Sequence, residues 1–135
     1  MDVSQQVQRV MERIRQAALA AGREPGEITL CAATKVQTDE TIRAAIAAGV
    51  RVCGENRVQE LMAHLAADAY AGAEQVHFIG HLQTNKVKQV VGHVDLIQSV
   101  GSAHLLQAIQ NQADKQGIIQ DILLEVNIGQ EESKG

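Results

Sequence analysis

A lysine ends an apolar run. Residues 28–34 read ITLCAAT, Lys35 follows directly, and Thr38 then opens a helical pattern. In an alternating strand Thr29, Cys31, Ala33 and Lys35 share one face, and Ile28, Leu30, Ala32 and Thr34 share the other. With the bulkier aliphatic set packed on helices, Lys35 points to the opposite side at the strand's C-terminal end. That end is where α/β barrels and open sheets collect their ligands. Desolvation there favours a neutral amine, the nucleophile of Schiff-base chemistry. A lysine that snorkels to water from a strand end explains the same residue with no chemistry.

Four further stretches carry polar groups at comparable places. In CGENRVQE, residues 53–60, Gly54 permits a tight turn, and Asn56 and Gln59 have the spacing of a capping box. Asn56 either caps that helix or, beside Lys35 at the same sheet end, hydrogen-bonds a ring oxygen of a ligand. In HFIGHLQTNKVKQVV, residues 77–91, Lys86 and Lys88 open a helix and either attract an anion or simply face solvent. His77 and His81 straddle a strand-to-helix boundary and no carboxylates cluster with them, which argues against a metal site. Ser99 stands at a strand end in DLIQSVGSAHLL, with Ser102 placed to cap the next helix. Glu125 and Asn127 share a strand face in EVNIGQEESKG; if the fold is a barrel both project inward, and Glu125 then needs a cationic partner. No GxSxG elbow or Ser/His/Asp ordering is present.

The elements that must position these groups follow from two alternating periodicities. Val3, Val7, Val10, Met11, Ile14, Ala17, Ala18 and Ala21 mark one face of a leading helix that Gly22 and Pro25 end. After it the pattern predicts strands over 28–34, 50–53, 77–80, 94–100 and 121–127. Helices are expected over 38–48, 57–69, 84–91 and 102–116. Such alternation implies βαβ units and a parallel sheet in a single domain, residues 1–135. The absence of GxGxxG after the first strand, and of GxxxxGK[ST] anywhere, takes weight from nucleotide-binding folds.

Composition narrows the partners. The chain is 45% apolar, but Tyr70 and Phe78 are its only aromatics, so it offers few stacking platforms for single-stranded nucleic acid. A net charge of −4 gives no basic excess to neutralise phosphates. No stretch approaches the roughly 20 apolar residues that span a bilayer. Cys31 and Cys53 each lie in an apolar run, as expected of buried thiols in a reducing compartment. The expectation is a soluble cytoplasmic protein without nucleic-acid or membrane partners.

The order of the motifs is more specific than any one of them. AATK at the first strand end, GENRVQE after the second, HFIGHLQTNK at the third, QSV at the fourth and EVNIGQEESKG at the fifth together resemble the pyridoxal-phosphate homeostasis protein family. That family is similar to the N-terminal barrel domain of alanine racemase. Val76 and Cys53 depart from it, standing where the family usually has aromatics. The resemblance implies an α/β fold: a TIM-type (β/α) barrel truncated to about five β/α units, with an extra N-terminal helix. It implies pyridoxal 5′-phosphate held as an aldimine on Lys35, with Asn56 near the phenolic oxygen and Ser99 and Asn127 lining the same mouth. The implied role is cofactor homeostasis and delivery to pyridoxal-phosphate-dependent apoenzymes, without substrate turnover.

The full-length family is expected to be monomeric and to continue through three more strand–helix units that carry the phosphate cup. The 135-residue chain is accordingly expected to be a truncated product with weak cofactor affinity on its own. Two alternatives stand beside this expectation. One is racemase-like chemistry, which needs a group on the cofactor's second face, where Tyr70, late in a helix, is unconvincing. The other is a structural or interaction fragment that dimerises through its open sheet edges.

Overall fold

A computed structural model describes residues 1–129. Helix α1 (Val3–Ala20) starts because Asp2 accepts from the Gln5 N–H while the Gln5 side chain returns a bond to the Asp2 backbone. Val3, Val7, Met11, Ile14 and Ala18 form its least exposed stripe, at three- and four-residue spacings. Four more helices follow: α2 (Asp39–Ala47), α3 (Val58–Ala66), α4 (Val87–Val90) and α5 (Ala103–Gln116). Thr38 caps α2 and Ser102 caps α5, whose C-terminal end is closed by Gly117 at φ 67°.

Between the helices run β1 (Cys31–Ala33), β2 (Val52–Glu55), β3 (Gln75–Phe78), β4 (Leu96–Val100) and β5 (Asp121–Leu124). They form one parallel sheet in the order β1-β2-β3-β4-β5. A doubly wound sheet reverses strand order at its switch point; this one never does. Cys53, Phe78 and Ile97 pack with Ile42 of α2, Leu61 of α3, Val90 of α4 and Ile109 of α5 in one buried cluster. All these crossovers therefore cover the same face, as in successive units of a (β/α) barrel. The opposite face carries Cys31, Ala33, Val52, Gly54, Gln75, His77, Leu96 and Gln98.

The strands depart from expectation at their ends. β1 begins at Cys31, not Ile28, because Cys31 is the first residue opposite β2, which starts at Val52. β3 begins at Gln75, opposite Val52, and releases Ile79 and Gly80, which were expected inside it. Residues 125–127 lie beyond β5, so Glu125 and Asn127 are loop rather than strand residues. The helix expected over 84–91 is a 3₁₀ turn at Thr84–Lys86 followed by the four residues of α4. Tyr70 lies past the end of α3 and is buried. Among the described residues no helix is long and apolar enough to cross a membrane. Residues 130–135, which include the ESKG end of the fifth motif, lie outside the described residues.

Candidate functional site

The C-terminal ends of the parallel strands lie side by side, and the polar residues singled out by the sequence leave from them. Lys35 lies just past β1, Asn56 directly past β2, Ser99 inside the end of β4 and Asn127 beyond β5. Backbone bonds stitch adjacent ends together. The Thr34 N–H donates to Gly54 O at 2.9 Å, the Ile79 N–H to Glu55 O at 2.8 Å and the Glu125 N–H to Val100 O at 2.8 Å. Lys35 and Asn56 are thereby brought to neighbouring strand ends. Asn127 belongs to the opposite edge of the sheet from Lys35.

Lys35 sits in a turn closed by the Gln37 N–H on Thr34 O at 3.2 Å. It is exposed, and its Nζ makes no hydrogen bond or ion pair among the described residues. The burial expected of a barrel mouth is not seen at this side chain. The residue after it, Val36, has φ 55°, a left-handed conformation that a β-branched side chain rarely adopts.

Asn56 is half-buried, with Oδ1 shielded and without a hydrogen-bond partner among the described residues. The capping box expected from Asn56 and Gln59 does not form. Helix α3 begins at Val58, so Arg57 occupies the cap position and no side chain caps it. Gly80 lies against the Asn56 backbone so tightly that an added Cβ would stand 2.1 Å from Asn56 O. The Ser99 hydroxyl donates to Gly80 O at 2.5 Å, which ties β4 to the loop behind Asn56. Ser99 thus supports the rim through its donor. With α4 only four residues long, the Lys86–Lys88 segment has no helix dipole of consequence to offer an anion.

Sequence reasoning passed over the most heavily bonded group near this rim. Glu55 is 0% exposed at the end of β2, on the helix-covered face. Its Oε2 accepts from Thr34 Oγ1 at 2.7 Å and Tyr70 Oη at 2.6 Å, and lies 2.8 Å from His64 Nδ1. The Tyr70 and His64 rings meet edge to face at 5.8 Å. Burial works to raise the Glu55 carboxyl, but the bonds from Tyr70, Thr34 and His64 outweigh it and hold it below the usual value of 4.5. Burial, then the Glu55 carboxylate, pushes the Tyr70 phenol far above its ordinary range. The signal in the sequence was a carboxylate closing an apolar strand, next to the glycine of GEN.

On the uncovered face His77 is held at both ring nitrogens, its Nε2–H on Gln75 Oε1 at 2.7 Å and its Nδ1 against Gln98 Nε2 at 2.8 Å. Burial lowers its basicity despite nearby Asp95, which suits the neutral ring.

No family model matches the chain. Over 135 residues it is 44% identical to the pyridoxal phosphate homeostasis protein of Aquifex aeolicus, covering 100% of the chain and 59% of that protein. It is 35% identical over 136 residues to the protein of the same name from Escherichia coli K12, covering 98% of the chain and 58% of the relative. Among solved structures, an unknown protein from Bifidobacterium adolescentis superposes with a TM-score of 0.85 at 43% identity, over 98% of the chain and 58% of that protein. PipY of Synechococcus elongatus, solved with PLP bound, gives 0.72 at 34% identity, over 85% of the chain and 54% of PipY. The chain thus spans less than two thirds of the length of these relatives.

Proposed function

We propose that this chain, similar over its whole length to the amino-terminal portion of the pyridoxal phosphate homeostasis proteins, binds pyridoxal 5′-phosphate through Lys35 and serves cofactor homeostasis rather than substrate turnover. Pyridoxal phosphate supplies an aldehyde that condenses with a primary amine, with loss of water. The observation that carries the proposal is the Lys35 amine, without a hydrogen bond or ion pair among the described residues, at a strand end next to that of Asn56. Asn56 fits the ring's oxygen substituent, because its Oδ1 is shielded and lacks a partner. With the carboxamide's two ends interchangeable, the position offers either an acceptor or a donor. Ser99 holds the Gly80 loop behind Asn56, and Asn127 is assigned to the far side of the same mouth.

The absence of turnover is part of the proposal. Acid–base work on both faces of the cofactor needs a second proton-handling group, and the one tyrosine is buried against Glu55. Closure of the five-stranded sheet into a barrel, in a chain as long as the relatives, would bury the face that now carries Cys31, Ala33 and His77. Delivery to apoenzymes and a cytoplasmic location belong to the same reading, the latter supported by two free thiols.

Reduction with borohydride in the presence of pyridoxal phosphate, followed by peptide mapping, tests it. Lys35 is expected to be modified well ahead of Lys86, Lys88 and Lys115. Equal modification of all four overturns the assignment. A second reading is favoured by the outer edge of β5, which pairs with no further strand among the described residues and where Leu123 and Leu124 are 50% and 65% exposed: the chain pairs with a copy of itself. A sedimentation profile that shows only monomer removes it.

A further inference from the structure

The loop that presents Lys35 is tied down on both sides of the lysine, and apart from its own turn bond the ties come from β2 and α3. Before it, Thr34 gives its N–H to Gly54 O and its hydroxyl to Glu55 Oε2. After it, the Val36 N–H donates to both carboxylate oxygens of Glu60, each at 3.3 Å. His64 Nε2 lies 3.1 Å from Gln37 O. Among the described residues, Lys35 alone in the segment 34–37 is left untied.

The middle tie bears on a strained residue. Val36 is held at φ 55°, where its branched side chain crowds the backbone. Such a conformation persists only where surrounding contacts over-determine it. The Glu60 carboxylate supplies that contact by accepting the one N–H that this conformation turns toward α3. Returning Val36 to ordinary φ would rotate the peptide that links it to Lys35 and so change the direction in which the lysine leaves the strand end.

We infer that Glu60 is a positioning residue for Lys35. Its carboxylate fixes the left-handed Val36 and so aims the amine at the rim shared with Asn56, while Glu55 and His64 hold the flanking residues. The inference rests on the cofactor reading of Lys35, but the geometry of the loop can be tested apart from it. Glu60 is half-buried on the first turn of α3 and also acts on the buried Glu55 carboxyl, so Glu60→Gln, which keeps the shape of the side chain, accompanies Glu60→Ala.

The experiment compares Glu60→Ala and Glu60→Gln with the native chain by two measurements. Amide hydrogen exchange at Val36, without any cofactor, reads the loop. The ratio of Lys35 to Lys86 modification by pyridoxal phosphate and borohydride reads the aim. Glu60→Ala is expected to speed Val36 exchange about tenfold and to bring the Lys35:Lys86 ratio toward one. Glu60→Gln, which keeps an acceptor oxygen, is expected to retain most of both. Native exchange and a native ratio in Glu60→Ala overturn the inference. A native chain that modifies Lys35 and Lys86 equally overturns the cofactor reading instead, and the exchange measurement then decides the loop by itself.

Discussion

Glu55 and His64 meet on the helix-covered side of the sheet, Oε2 to Nδ1 at 2.8 Å, while the far nitrogen of the same imidazole reaches Gln37 O at 3.1 Å. A buried carboxylate at the end of β2 is thereby linked through one ring to the loop that carries Lys35. Thr34 and Tyr70 donate to the same oxygen, Glu60 also acts on the carboxyl, and Oε1 makes no hydrogen bond among the described residues. The core and the rim are one bonded unit at this corner of the fold.

Replacing Glu55 by Gln puts an amide where three donors converge, and is expected to cost about 2 kcal/mol in urea unfolding at neutral pH. The difference between native and variant chains should depend on pH. The folded-state carboxyl is depressed below 4.5, so its contribution is present in full above that value and fades as pH falls through the lower folded one. Stability curves that stay parallel from neutral to acid pH contradict the hub role.

Tyr70 is the only tyrosine and the chain has no tryptophan, so its ionisation can be followed directly by absorbance. Burial and the Glu55 carboxylate raise the phenol, so the stability it contributes is present below the ordinary value near 10 and is lost as pH climbs beyond it. Phenolate absorbance is expected to appear only together with alkaline unfolding. Tyr70→Phe, which removes a bond to a charged acceptor, should cost about 1.5–3 kcal/mol. A smooth titration near 10 in the folded chain places the ring in water and refutes the contact.

The sheet and the lysine were legible in the sequence for different reasons. Alternating periods and the caps at Thr38 and Ser102 are local signals, and α2 and α5 formed within a residue of expectation. Strand limits were not local: β1 starts where β2 supplies partners, which no feature of ITLCAAT encodes. Asn56 shows the same limit from the other side. Its spacing to Gln59 matches a capping box, but in the structure Arg57 takes the cap position and the Asn56 backbone lies against Gly80, a contact from a strand away that no local pattern encodes. Glu55, His64 and Tyr70 meet across a helix and a turn, and only the fold brings them together. Lys35 stands at a strand end, as its place after ITLCAAT suggested, but a strand end is compatible with burial or exposure, and the structure leaves this side chain exposed.

The two cysteines stand on opposite faces of the sheet and should differ in reactivity. Cys53 lies in the helix-covered core and burial pushes its thiol up to about 11. Cys31, half-buried on the uncovered face, is also raised by burial. At mildly alkaline pH a disulfide reagent is expected to modify Cys31 slowly and Cys53 only on unfolding, because the thiolate is the reacting form. Cys31→Ser should abolish the native-state reaction. Rapid modification of both thiols in the folded chain is incompatible with this packing.

Gly80 is the position where the least added matter should do the most harm to the rim. An alanine Cβ there would fall 2.1 Å from Asn56 O, 2.7 Å from its carbonyl carbon and 2.8 Å from its Cα, all backbone atoms that cannot swing aside. The Ser99 bond to Gly80 O holds the loop from the other side, so the chain cannot back away without losing that contact as well. Overpacking of this kind costs about 1–3 kcal/mol where side chains can yield, and the backbone partner puts Gly80→Ala at the upper end. By contrast, Gly26→Ala adds a methyl with nothing within 4 Å and should leave stability unchanged. The displacement also moves Asn56 relative to Lys35, so the variant should lose preferential modification of Lys35 by pyridoxal phosphate even at temperatures where it remains folded. Thermal unfolding alongside peptide mapping separates the two effects, and a Gly80→Ala chain with native stability and native Lys35 selectivity rules out the contact between the two loops.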